Sequence, residues 1–391
     1  MYRFLYIALF FFCSTQIQAQ VNVSIGLYSG SKIKSIGIVS TNSNGFAIND
    51  SSQIIFKFKK SQMLHISARA DSVVVKSLDS LIGVFSSFSL VPSDSTLLRV
   101  KSIHPELATR QFEGNIKIKS KTENLLIENE VDLNRYVAGV IEAEAGTGHT
   151  LEYYKVQAII CRTYALSHLN RHESEGFQLC DQVHCQVYRG RNKLNKNIAN
   201  ATISTHNLVL VDENVDLITA AFHSNCGGQT CNSEDIWNLP KTYLKSVIDT
   251  FCIKKNNAVW RKQMTRKEWE NYLTKEYKYK LHDSDSVATV EAFSFFQPAR
   301  KTHLGILPNA VPLKNIRADF SLKSTFFSVQ SDSVNVVLNG KGYGHGVGLC
   351  QEGAMEMAKL GYSYYDILRF YYQNVFIIDL RRLYLFKDEC L

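Results

Sequence analysis

Past residue 20, no apolar run in this chain reaches the 18 residues that a membrane-spanning helix needs. No long block of Lys or Arg is present either, although the net charge is +8. Nucleotide-binding signatures are missing: no G-x-G-x-x-G follows a strand pattern, and no G-x-x-x-x-G-K-[ST] occurs. The G-x-S-x-G elbow of an α/β-hydrolase is absent, as is any repeat of 20–50 residues that would signal a solenoid. What remains is a chain of 391 residues, 45% hydrophobic, long enough for one to three domains with a sizeable core. Its basic balance suits nucleic acid, anionic lipid or an anionic cell-wall polymer, and charge alone does not choose among them.

Residues 1–20 choose a compartment. Arg3 precedes an apolar run from Phe4 to Cys13, the length of a signal-peptide core, with cleavage expected after Ala19 or Gln20. The bulky Phe12 before Cys13 argues against a lipoprotein. An exported protein of the periplasm or cell envelope is expected. Eight cysteines remain after such cleavage: Cys161, Cys180, Cys185, Cys226, Cys231, Cys252, Cys350 and Cys390. Oxidising surroundings favour pairing, and Cys226, Cys231 and Cys252 form the cluster expected to supply a bridge, with the pair left open.

From 21 to 130 short alternating runs such as SIGIVS, DSVVVKSL, NIKIKSK and NLLIENEV are separated by Ser, Asn, Asp and Gly, which predicts strands and turns. Clustered His, Cys or acid is missing there, so a supporting or binding role is expected. The reading is an α+β protein: a β-rich N-terminal domain at 21–130, then a mixed helix/strand catalytic domain at 131–391.

That second part is organised around LNRYVAGVIEAEAGTGHTLEYYKVQAIICRTYAL, residues 133–166. At about 100° per residue, Leu133, Val137 and Val140 fall within roughly 60° of one another. Glu144 lies on that stripe, whereas Glu142 points about 160° away from it. Gly146 and Gly148 stop the helix just beyond. A carboxyl group in an apolar setting favours its neutral form, which is how a glutamate becomes a general acid near neutral pH. A second helix is expected from Leu151 to Arg171, with Lys155 and Arg162 on one face. A strand, DLITAAF, should lead into the small-residue loop HSNCGGQT, and a helix capped by Thr265 and Glu268 is expected within Trp260–Tyr277. Late in the chain Gly340, Gly342, Gly344, Gly346 and Gly348 alternate, which in an extended segment leaves one face bare for another backbone or a polymer. Two helices, at 352–360 and 364–372, should follow.

The motifs YVAGVIEAE, KVQAIICRTYAL, CDQVHCQVYRG, AAFHSNCGGQT, LKSTFF and GYGHGVGLCQEGA occur in this order. Together they resemble the stage II sporulation protein D and amidase-enhancer (LytB) family, from about Leu133 to the C-terminus. The resemblance implies a peptidoglycan lytic transglycosylase, with Glu144 at the position of the family's catalytic glutamate and glycan strands as its partner rather than nucleic acid. It implies no cofactor for the cleavage itself. The family usually continues Glu-Met-Pro, whereas this chain has Glu144, Ala145 and Gly146, which bears on the shape of the corner. Some members are amidase enhancers instead, so a non-catalytic cell-wall-binding partner of an amidase is the alternative.

His223, Ser224, Gln229, His345 and Gln351 are the polar residues of the other motifs, and Tyr343 and Tyr188 could stack on sugar rings. His223 and His345 could equally brace the glycine loops. Cys180, His184 and Cys185, with His172 or His168, offer zinc ligands. His172, Cys180 and Cys185 are the favoured set for a structural zinc, with a disulfide as the competing use of the sulfurs. A cysteine peptidase using Cys226 with His223 or His345 is a third reading.

Overall fold

The computed structural model describes residues 21–386, apart from 42–43, 50–51, 94–95, 192–194, 280, 282–286 and 307–309. The expected leader and Cys390 lie outside the described residues. The fold is α+β, with two sheets first and mixed helices and strands after them. One sheet runs, in spatial order, through Leu179–Cys180, Asn22–Leu27, Asn124–Asp132, Asn115–Lys121, Ser87–Pro92, Gly45–Ile48 and Ile54–Phe58. The other contains Arg110–Phe112, Leu98–His104, Ser35–Ser40, Met63–Arg69, Ser72–Lys76 and Leu81–Phe85. Alternation sets the registers: Ile116 and Ile118 on one strand, and Leu125, Ile127 and Val131 on its neighbour, all turn inward.

A parallel pairing at the edge of the first sheet matters for function. Ile25 and Gly26 pair with Leu179 and Cys180, so a strand about 150 residues further along the chain completes the front sheet. Asp181, which follows, is fully buried and accepts from the Tyr28 and Ser29 backbone N–H groups at 2.8 and 3.2 Å, and from Arg110 at 2.7 Å. Replacing Asp181 with Ala should cost about 3–5 kcal/mol, because Arg110 and the Tyr28 N–H lose a buried partner. A drop in the urea midpoint at unchanged slope would register it, and an unchanged midpoint would contradict this link.

Helix α1, Leu133–Ala145, starts directly after a strand because the Asp132 carboxylate accepts from the N–H groups of Asn134 and Arg135 at 3.0 and 3.1 Å. Gly146, with φ 70°, ends it. Helix α2, Leu151–Ser167, is buried nearly all round and so runs through the core rather than along its surface. It stops before the expected Arg171 because His168 closes the last turn, its ring stacked on Tyr164 and its Nδ1 against the Tyr164 carbonyl. Arg162, expected on one face with Lys155, is buried: its guanidinium donates to Asn134 Oδ1 and the Leu208 carbonyl.

One hydrophobic core runs from Val23 through both helices to Tyr372. The expected division at 130/131 falls inside the strand Asn124–Asp132, and this core passes across it. A second core, around Trp269 and Leu273, belongs to a module built on the strands Val259–Thr265, Asn335–Lys341 and Phe327–Ser331. The helix expected within Trp260–Tyr277 spans Arg266–Tyr277, after a strand at Val259–Thr265, and Thr265 Oγ1 caps it by accepting from the Glu268 N–H at 3.1 Å. Of DLITAAF only the last residue, Phe222, lies in a regular strand, Phe222–His223. The two late helices expected stand at Gln351–Lys359 and Tyr364–Tyr371, and a further helix follows at Leu380–Phe386. No helix among the described residues is long and apolar enough to cross a membrane.

Candidate active site

Glu144 occupies the last turn of α1, half-buried, and its Oε1 accepts from the Val187 N–H at 2.8 Å. Burial pushes its pKa up; the Val187 N–H and the Arg189 charge pull the other way and do not win. The C-terminal end of a helix adds partial negative charge, which also disfavours the carboxylate. The carboxyl group opens into a pocket of about 680 Å³, a volume usual for ligand sites. His223, Ser224, His345 and Gln351 line the same pocket. Four polar residues from two distant sequence motifs thus meet the acid.

The glycine run builds the wall that carries them. Gly342, Gly344, Gly346 and Gly348 all have positive φ, so the segment is a series of left-handed turns and not the expected extended strand. A Cβ on Gly348 would come within 2.2 Å of the Ala221 carbonyl oxygen, and one on Gly344 within 2.8 Å of the His223 Cβ. The close approach is to the protein's own loop. Phe222 and His223 consequently pair with Leu349 and Cys350.

His345 braces this wall: Nε2 donates to the Phe222 carbonyl at 2.9 Å, and Nδ1 accepts from the Val347 N–H at 3.0 Å. Burial lowers its pKa to about 4, so the ring is neutral at pH 7. His223 does half of each job. Its Nδ1 donates to the Val347 carbonyl at 3.2 Å, while its buried Nε2 has no partner among the described residues. Burial holds its pKa well below the usual histidine range, leaving Nε2 as a hydrogen-bond acceptor for a hydroxyl group. The Gln351 Nε2 is likewise buried without a partner.

Three expected contacts lie elsewhere. Tyr188 is 2% exposed, packed on Tyr136 and Phe112 with its hydroxyl on Asn129, so it cannot stack on a sugar. Gln229 is engaged by Ser246 and by the Arg300 backbone. Tyr343 is exposed beneath Lys323 but does not line the pocket. Its place is taken by Trp237 and Tyr164. Trp237 lies 5.4 Å from the His345 ring, on the short helix Ser233–Trp237. The available signal was a large aromatic residue in the polar stretch NSEDIWNLP, directly after the glycine-containing loop. The peptidase reading also fails: Cys226 is fully buried, its thiol donates to Asp249 at 3.2 Å, and His223 and His345 are both engaged along the glycine run instead.

Behind the acid lies a cluster of donor atoms. His172, Cys180, His184 and Cys185 place one ligand atom each within 4.8 Å of one another. His184, one of the candidate ligands, joins the favoured three, 3.2 Å from His172 through Nδ1 and 3.9 Å from the Cys180 sulfur. Glu175 holds the other His172 nitrogen at 2.5 Å, which fixes the ring. His168, bonded to Tyr164 and Ser167, stands apart. Two thiols and two imidazoles match a closed tetrahedral zinc site, and the two sulfurs are unbonded. Two residues beyond Cys185, the chain supplies the N–H that binds Glu144.

A family model described as "Stage II sporulation protein" matches residues 121–211. Stage II sporulation protein D of Bacillus amyloliquefaciens is 30% identical over 276 residues, covering 66% of this chain and 77% of that protein. An uncharacterized protein of Brachyspira hyodysenteriae is 27% identical over 277 residues, 70% of this chain and 74% of its own. The Amidase enhancer of Bacillus subtilis is 29% identical over 285 residues, 60% of this chain but 39% of the enhancer. The chain belongs to the stage II sporulation protein D family.

Proposed function

We propose that this protein is an exported lytic transglycosylase that cleaves the β-1,4 bond between MurNAc and GlcNAc in peptidoglycan glycan strands. The observation that carries the reading is a half-buried carboxyl group with a raised pKa, opening into a groove lined by aromatic and neutral polar side chains. Family membership supports it, as does the basic balance of the chain.

In the mechanism, protonated Glu144 gives its proton to the glycosidic oxygen as C1 of MurNAc loses that bond. The GlcNAc 4-hydroxyl departs. Glu144, now a carboxylate, takes the proton from the C6 hydroxyl of the same MurNAc, whose oxygen bonds to C1 and closes a 1,6-anhydro ring. No water enters, so one carboxyl group serves both steps and no second at hydrolase spacing is needed. The Val187 N–H orients the carboxyl throughout. His223 Nε2 accepts from a sugar hydroxyl, and Trp237 offers a ring face. Zinc held by His172, Cys180, His184 and Cys185 would supply structure rather than chemistry, pinning the loop that carries Val187. Release of soluble anhydro-sugars from purified glycan strands tests the proposal, and intact strands would reject it.

Trp237→Ala should raise KM for glycan strands about tenfold, equivalent to about 1.4 kcal/mol of binding, with kcat nearly unchanged. An equal loss in kcat would place Trp237 in the chemistry instead. Similarity to a protein named Amidase enhancer supports a second reading, in which the groove binds glycan without cutting it and an amidase is the partner. Under that reading the Glu144→Gln protein still sediments with cell wall and stimulates an amidase.

A further inference from the structure

Cys226, Asp249, Cys252 and Cys350 converge in the core beneath the wall that carries His223 and Gln351. Each is 0% exposed, and their ligand atoms lie within 4.8 Å of one another. The Cys226 and Cys252 sulfurs are 3.4 Å apart, unbonded, and the Cys226 sulfur is 3.2 Å from Asp249 Oδ2. Cys350, rather than the expected Cys231, completes the group: the Cys226 N–H donates to its sulfur at 3.2 Å. Cys231 instead packs on Gly346 beside Arg300.

From these four residues we infer a second, closed zinc site, with three thiolates and one carboxylate as ligands.

Three observations favour a cation over a disulfide. First, a disulfide uses two sulfurs and leaves the third and the carboxylate in place. Second, Asp249 is a buried acid with no cationic side chain paired to it among the described residues. Its oxygens accept from the Tyr371 hydroxyl at 2.9 Å, the Phe251 N–H at 2.9 Å and the Cys226 thiol, and Cys350 also bonds to it. Without a metal, burial favours the neutral form of this acid; an ion among the thiols would let it be buried as a carboxylate. Helix Gln351–Lys359 passes so close to this carboxylate that a Cβ on Gly353 would come within 2.3 Å of Oδ2, leaving no space for an additional side chain to neutralise it. Third, the spacings suit the ion. Tetrahedral zinc–sulfur bonds of about 2.3 Å separate sulfurs by roughly 3.8 Å, close to the spread seen here.

The ion would tie three separate segments together: the loop after His223, the turn at 249–252 and the start of the helix that carries Gln351. With the first cluster anchoring Val187, each wall of the groove would then have its own metal. Since the site is sealed, it is loaded as the chain folds.

The test is metal analysis of the full mature chain, folded with zinc under reducing conditions and freed of loose metal. Two zinc ions per chain are expected; none overturns the inference, and a single ion overturns it if its X-ray absorption spectrum shows imidazole, the mark of the first cluster. In a His172→Ala/Cys185→Ser variant, which removes the first cluster, one zinc should remain. Its X-ray absorption spectrum should show sulfur and oxygen scatterers without imidazole; imidazole scattering overturns the assignment. If that variant fails to fold, the stoichiometry and spectrum of the unmodified chain decide. Non-reducing peptide mapping supplies a further check: a Cys226–Cys252 disulfide in protein purified from the envelope would also overturn it.

Discussion

Glu144→Gln should lower the rate of glycan cleavage by about 10²–10⁴-fold, the range that a positioned general acid contributes, and leave glycan binding close to normal. Glutamine preserves the acceptor for the Val187 N–H and the shape of the groove, so only the proton is lost. The pH dependence follows from the sign of the shift. The folded-state pKa of Glu144 is raised, so cleavage should fall as pH climbs through that raised value and the acid becomes a carboxylate. Stability moves with it. The neutral carboxyl group is favoured in the fold, and this contribution is full below the unfolded-state pKa and lost as pH rises through the folded one. The glutamine variant, always neutral, should therefore melt higher than the parent at pH 8 and nearly level with it at acid pH. A melting-temperature gap that is the same at both pH values would contradict the buried-acid account, whatever the activity.

The second large effect is expected at the cluster behind the acid. Cys185→Ser, or chelation of the folded protein, should lower the melting temperature and the cleavage rate together. The segment 180–188 supplies both the cluster's sulfurs and the N–H that aims Glu144. Structural zinc contributes folding free energy outright, and an acid misplaced by about 1 Å can lose about 10²-fold in rate. Thermal melts and cleavage assays on the same samples, before and after zinc is restored, measure both. Loss of metal with unchanged cleavage would show that the loop holds Val187 without it.

The sequence carried these features unequally. Glu144 was legible because helical period and glycine stops are local: Leu133, Val137, Val140 and Glu144 fall on one stripe whatever packs against them. The strands around Ile116, Ile118, Leu125 and Ile127 were legible for the same reason, since alternation records a one-sided sheet. What pairs with what was not. Nothing local to Gly26 reveals that Cys180 will lie beside it, or that Asp181 will take the Tyr28 N–H. The alternating glycines have the period of a strand, and only the opposing loop at 221–231 shows that they are left-handed turns. Tyr188 has the composition of a sugar platform and is a core residue, because Gly139 leaves room for its ring against α1. Trp237 is the reverse: the polar sequence around it marks no groove, and the fold supplies one. Similarly, Cys350 stands about a hundred residues from Cys252 and meets it only through the pairing of Phe222 with Leu349.

The central claim is that one acid, kept protonated at the end of α1, transfers a glycosidic bond to a hydroxyl group of the same sugar. Mass spectrometry of the ends produced when the mature protein digests purified glycan strands tests this most directly. The account predicts MurNAc ends lighter by one water than hydrolysis would give, present with Glu144 and absent with Gln at that position. Ends carrying the full water, or anhydro ends that persist in the glutamine variant, would contradict it.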